Sequence, residues 1–209
     1  MRLRFTGIAA FGVGVALALG ACSPPTDTEP LREAGGPAES ACSSLRVGDT
    51  GPGGGSIFYK DMNRPAGSRC FEAAPSGWNG GGSDPSLAWG TTGKCASTSF
   101  ATGTAIGDGE ANTTAITSST ACDTAAKAPA AWAAKNYAGG GKSDWFLPSK
   151  DELNQLYAQE ATVGGFAGGS YWSSSQASAR NAWGQGFVGG ALNVVSQGYA
   201  GRVRPVRAF

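Results

Sequence analysis

The chain opens with two basic residues, Arg2 and Arg4, followed by an apolar run from Ile8 to Leu19. A helix that crosses a bilayer needs roughly 20 apolar residues, so this run is too short, and with its basic flank it reads as an export signal over 1–21. Residues 22–44 carry Pro24, Pro25, Pro30 and Pro37 with scattered acids and too little apolar content for a core, the pattern of a flexible tether. From Leu45 to Phe209 apolar positions recur in short groups, and this part reads as one globular domain. Ser56-Ile57-Phe58-Tyr59 predicts a strand after the turn cluster Gly51-Pro52-Gly53-Gly54-Gly55, and Phe71 to Pro75 predicts a second. Between Ser76 and Gly109 the chain is rich in Gly, Ser and Thr, with Trp78, Trp89 and Phe100 as anchors, and predicts a long loop region.

Helical periodicity follows. Asn112 is placed to cap a short helix over Thr113–Ser119. Ala125–Tyr137 is alanine-rich and ends at Gly139-Gly140-Gly141, while Pro129 either starts that helix near Ala128 or kinks it. Ser149-Lys150-Asp151-Glu152 is a capping box, with Leu153, Leu156 and Tyr157 at the spacing of one helix face. The last quarter reads as strands: Tyr171–Ser174, Ala182–Val188, Ala191–Gln197 and Arg202–Ala208. Gly189-Gly190 suits a tight turn, and Pro205 puts the last strand at an edge or outside the ladder there. Strands, then helices, then strands is an α+β pattern.

Cysteine content adds to the picture. Leu19-Gly20-Ala21-Cys22 resembles the lipobox of bacterial lipoproteins, in which a peptidase cuts before a cysteine whose thiol receives diacylglycerol. The expectation is a chain lipidated at Cys22 and held at the cell membrane or outer membrane on its extracytoplasmic side. Each buried methylene of an acyl chain contributes about 0.8 kcal/mol, so two or three chains anchor firmly. Of the five cysteines, Cys42, Cys70, Cys95 and Cys122 remain, an even number that predicts two disulfides in an exported chain. Three pairings are possible, and the sequence neighbours Cys42–Cys70 and Cys95–Cys122 are favoured. Long spacings, no C-x-x-C and no histidine argue against a metal site, and no cofactor is implied.

Charge excludes further classes. Loss of Arg2 and Arg4 from 16 basic residues, against 15 acidic ones, leaves the remainder near −1, so no nucleic-acid partner is implied. Without histidine there is no Ser-His-Asp or Cys-His arrangement, and the chain does not read as an enzyme. Gly139-Gly140-Gly141-Lys142-Ser143 follows a helix instead of opening one, and is a helix end, not a phosphate loop. Asp108, Glu110 and Asn112 alternate as in calcium loops but lack the later bidentate acid; a turn is the better reading. Arg202, Arg204 and Arg207 could grip an anion, but pairing with internal acids such as Asp144 or Asp151 is favoured. Trp172, Trp183 and Phe187 read as core.

A longer correspondence runs through the domain. Asp144-Trp145-Phe146-Leu147-Pro148-Ser149-Lys150-Asp151-Glu152-Leu153 resembles a signature of the Lcl C-terminal domain family. Tyr171-Trp172-Ser173-Ser174-Ser175, Ala182-Trp183 and Arg202-Val203-Arg204-Pro205-Val206-Arg207 follow in the family's order, as do Val47–Gly55, Glu72–Pro75 and Trp89-Gly90 upstream. The resemblance spans about Val47 to Phe209. It implies a C-type-lectin-like fold and a surface adhesin domain, with sulfated glycosaminoglycans among the ligands of the collagen-like adhesin that gives the family its name. This chain departs from that adhesin in having no collagen-like repeat. By analogy with lectin-like receptors, Ser178, Arg180, Asn181, Gln185, Asn193, Gln197 and Tyr199 form the expected contact surface. Trp78 and Trp89, in glycine-rich loops, are the candidates for an exposed ring that stacks on a sugar, with anchoring in the core or the loops the favoured reading. The implied function is a lipid-anchored binding module for glycan or protein; the alternative is a structural envelope protein without a small ligand.

Overall fold

A computed structural model describes residues 37–91, 95 and 99–209, with side chains described from residue 41. The expected export signal, the lipidated Cys22 and the tether up to residue 36 lie outside the described residues. Residues 37–44 do not continue as a tether: they form helix α1, Pro37–Ser44. The Cys42–Cys70 disulfide ties α1 to the second strand, and Cys42, Ile57, Cys70 and Phe209 bury one another. The ordered domain therefore reaches back beyond Leu45.

Among the described residues, eight strands form two sheets. The small sheet has the order β1-β2-β8 and is antiparallel throughout, with β1 at Ser56–Lys60, β2 at Cys70–Ala73 and β8 at Val206–Ala208. The larger sheet has the order β3-β7-β4-β5-β6. Its strands are β3 Ser86–Ala88, β4 Ser170–Ser178, β5 Asn181–Gly186, β6 Leu192–Ser196 and β7 Ala200–Arg202. Strand β3 emerges from the stretch that reads as loop; three residues are too few to show an alternating pattern. The expected single last strand is two strands, because Pro205 has no N–H for a ladder. The Ala74 N–H donates to its carbonyl, while Val203 donates to Pro85 and Val206 exchanges bonds with Phe146. The chain thus leaves one sheet at Arg202 and joins the other at Val206.

Helices cover the sheets. Helix α2, Gly109–Ser118, begins at Asp108, four residues before the expected cap. Asn112 is buried inside it: its amide donates to the Gly103 carbonyl (2.7 Å) and accepts from the Gly103 N–H (3.2 Å). Helix α3, Pro129–Lys135, takes its proline at the first position, where a missing N–H costs nothing. Ala130, Ala131 and Ala134 are small enough to sit close on Trp89, Ile116, Leu147, Trp172 and Val203 in one apolar cluster. A short 3-10 turn at Gly139–Gly141 follows, with φ of 60° at Gly140 and 70° at Gly141, which a glycine accepts without strain. Helix α4, Lys150–Ala158, carries the reciprocal capping box of Ser149 and Glu152, and α5 is one turn, Glu160–Val163. Leu153 and Leu156 of α4 close a second cluster with Phe58, Phe71, Phe146, Tyr171, Phe187 and Val206. The second disulfide joins Cys95 to Cys122, so both favoured pairings are present. Mixed helices and sheets without a barrel make the fold α+β.

Candidate interaction surface

The arginines of the closing segment are structural. Arg204 is 1% exposed, and its guanidinium meets both carboxylate oxygens of Asp84, at 2.7 to 2.9 Å. It also donates to the carbonyls of Ala74 (3.0 Å) and Gly165 (2.8 Å) and lies 4.4 Å from the Phe166 ring centre. The Tyr171 hydroxyl donates to the same Asp84 at 2.7 Å. Burial, then the Asp84 carboxylate, raises the Tyr171 hydroxyl well above its ordinary range. Arg202 donates to the Asp84 backbone carbonyl. Arg207 bridges Glu72 and Asp144. Burial alone would lower it, but these two carboxylates outweigh burial and hold it above its usual value. The expected internal pairing is present: Asp144 is a partner as expected, Asp84 and Glu72 are further partners, and Asp151 instead pairs with Lys150.

Glu72 has a second duty. Its carboxylate accepts from the N–H groups of Gly53 (3.0 Å) and Gly55 (3.0 Å), fastening the turn Gly51–Gly55 over Trp145. A side chain at Gly53 would come within 2.7 Å of both Glu72 and Trp145, so the close approach needs glycine. Glu152 does the same for the loop before α2, accepting from Gly107, Gly109 and Ser149. Burial pushes Glu152 up to about 7, against the pull of those three N–H donors and with a smaller push from Asp108. Both carboxylates thus hold backbone N–H groups, and Glu72 holds the Arg207 guanidinium as well. A cleft of about 70 Å³ lies between α2 and the segment before α4, lined by Glu110, Thr113, Lys135, Asp144 and Trp145. That volume is well below the few hundred Å³ of ligand pockets.

The expected contact residues separate into two groups. Gln185 is fully buried, donating to Asn154 (2.9 Å) and to the Gly190 carbonyl (3.1 Å). Gln197 is 2% exposed and Trp89 1% exposed, and the Trp89 indole N–H donates to the Ser173 carbonyl at 2.8 Å. Trp78 is half-buried, donates to the Val203 carbonyl and stacks edge-on against Tyr137. The Trp89 ring is closed to a sugar, while Trp78 is anchored by its indole N–H and keeps part of its surface exposed. Trp183, expected in the core, is half-buried under the Lys150 amine, 5.3 Å from its ring centre.

Arg180, Asn193 and Tyr199 are exposed, Tyr199 at 68%. Two of these are brought together. The Gln197 N–H donates to the Arg180 carbonyl (3.0 Å) and the Tyr199 N–H to the Ser196 carbonyl (3.0 Å). The turn joining β4 to β5 and the turn joining β6 to β7 are thereby pinned side by side. Asn181, half-buried, donates to Ser178 in the first turn. The result is a corner with an exposed phenol, an exposed guanidinium and a hydrogen-bonded amide on two turns joined through the backbone. Asn193 lies away from it, on β6 opposite Gly184. Val188, Leu192 and Val194, which the sequence pattern reads as strand and core, are exposed along the outer β5–β6 hairpin, with Val188 and Leu192 at its end away from this corner. The signal was an uncharged apolar strand beside a hairpin turn, which reads as core unless the strand's place in the sheet is known.

No curated protein matches the chain. The family model described as the Lcl C-terminal domain matches residues 83–207, more than half of the sequence, and the chain belongs to that family.

Proposed function

We propose that this protein is a lipid-anchored binding module, held outside the cytoplasm at Cys22, that engages a glycan or surface-protein ligand through the Arg180–Tyr199 corner of a C-type-lectin-like domain. The observation that carries the reading is the corner itself: an aromatic ring and a cation, both open to solvent, on two turns locked by the Gln197–Arg180 bond. A phenol presents an apolar face to sugar C–H groups or to a protein side chain, with a hydroxyl at its edge. A guanidinium pairs bidentately with sulfate or carboxylate. The Leu19-Gly20-Ala21-Cys22 motif supports the anchor, and two disulfides fit an oxidising compartment.

The test is a screen of the purified protein against arrays of glycans and of extracellular proteins at low and high salt. Binding that weakens at high salt, and falls about tenfold in Tyr199→Ala, agrees with the reading. Absence of any ligand from a folded, disulfide-bonded sample would count against it.

A further inference from the structure

Strand β6 ends the larger sheet, and among the described residues no strand pairs its outer edge. Exposed sheet edges are usually blunted by charges, proline or bulges. Here no charged residue and no proline occurs between Arg180 and Arg202. The six exposed large apolar side chains among the described residues are Val47, Met62, Val188, Leu192, Val194 and Tyr199, and the last four flank or form this strand.

The bonding pattern of the edge is fixed by its inner partner. Gly186 donates to the Ala191 carbonyl and Gln197 to the Arg180 carbonyl, at the two ends of the β5–β6 ladder. Alternation along an antiparallel pair then turns Asn193 and Val195 inward as well, and leaves the backbone groups of Leu192, Val194 and Ser196 facing out. This free row is centred on Val194. The Leu192 and Val194 side chains stand on the same sheet face as Gln185 and Trp183, the residues directly opposite them on β5.

We infer that β6 pairs edge to edge with β6 of a second copy of this chain, antiparallel, about a two-fold axis at Val194. The row is its own complement. Val194 exchanges both of its free hydrogen bonds with its symmetry mate, and the Ser196 N–H meets the Leu192 carbonyl of the other copy. The Ser196 carbonyl already accepts from Tyr199 and keeps a lone pair for the opposing Leu192 N–H. Leu192, Val194 and Trp183 of both copies line one continuous face, and no charge on the strands opposes the approach. Arg180 sits beside the Ser196 end, so antiparallel pairing places the two arginines at opposite ends of the seam. A pairing of five-residue strands is small for an independent interface, and confinement of both copies to one membrane raises their effective concentration. The pair carries two Arg180–Tyr199 corners, which makes the module bivalent.

The full chain carrying Val194→Cys, oxidised in the envelope of the bacterium that expresses it, tests the inference. In a hydrogen-bonded antiparallel pair the two Cα atoms lie about 5.5 Å apart, within disulfide reach. The expected result is a covalent dimer on a non-reducing gel, absent from Val188→Cys, whose side chain is exposed off the seam. Sedimentation of the detergent-extracted chain should show Val194→Lys weakening the dimer about tenfold, because two ammonium groups then face each other across the axis. Equal cross-linking at 188 and 194, a dimer indifferent to Val194→Lys, or a monomer that captures extended apolar peptides on this edge instead would overturn the inference. Fractionation of the same cells reports the lipid anchor separately, so a failed anchor and a failed pairing are told apart.

Discussion

The closing segment, Arg202 to Phe209, and the outer hairpin, Asn181 to Ser196, are both strand-forming stretches near the C-terminus, and they are built in opposite ways. The closing segment is charged in sequence and buried in space: Arg204 and Arg207 lie inside, each satisfied by carboxylates and, for Arg204, by backbone carbonyls. The outer hairpin is uncharged in sequence and partly bare in space, with Leu192 and Val194 open to solvent. Polarity alone would assign the two regions the wrong way round. A guanidinium can be buried where acids and carbonyls surround its donors, and an apolar strand is left exposed where it is the last in its sheet. Arg204 and Arg180 show the contrast in one residue type. The first ties the two sheets together, and the second is exposed on a pinned turn.

The largest effect that separates the regions should come from breaking the buried pair. Asp84→Ala leaves Arg204 charged and enclosed without its carboxylate, and Tyr171 without its acceptor. A loss of about 3–5 kcal/mol in urea unfolding is expected. Adding Arg204→Met to that variant should recover a good part of the loss, since the stranded charge is then removed. A small loss from Asp84→Ala alone would mean that the pair does not hold the frame.

A smaller effect, set by pH, comes from Glu152. Its folded value, about 7, lies above the ordinary carboxylate value of 4.5, so between those limits the folded state binds more protons than the unfolded chain. The Glu152 contribution to stability is therefore fully present below about 4.5 and is lost as pH rises towards 7. A change on the order of 3 kcal/mol is expected across that window. Unfolding midpoints of the protein and of Glu152→Gln, measured from pH 5 to pH 8, check it: the difference between them should vary with pH, and parallel profiles would contradict the assignment.

How much of this was legible in the sequence follows the same contrast. Features set by neighbouring residues were readable: the Ser149–Glu152 capping box, proline at the start of α3, β1 after its glycine turn and the neighbour-to-neighbour disulfides. Features set by distant partners were not. Helix α2 starts at Asp108, without a side-chain capping bond, and Asn112 lies inside it, because the Asn112 amide bonds Gly103 and approaches Ser174 of β4. Pro205 could be read as an interruption, but not as the point where the chain changes sheets. Of the site residues, Arg180, Asn193 and Tyr199 were placed on the surface as expected. Gln185 and Gln197 were not, because hydrogen-bonding side chains can lie inside where other elements cover them, as Asn154 of α4 does for Gln185, while Trp89 is an anchor, as favoured. The eight residues before Leu45 read as tether by composition, and the Cys42 bridge makes them part of the domain.

The separation of frame from contact surface is tested most directly on the double variant Arg180→Ala/Tyr199→Ala, measured side by side for unfolding and for capture of whichever ligand the arrays return. Both side chains are exposed, so the unfolding free energy should stay within about 0.5 kcal/mol of the unaltered protein, while ligand capture falls to background. Unchanged capture, or a loss of stability comparable to that of Asp84→Ala, would contradict the assignment of function to this corner.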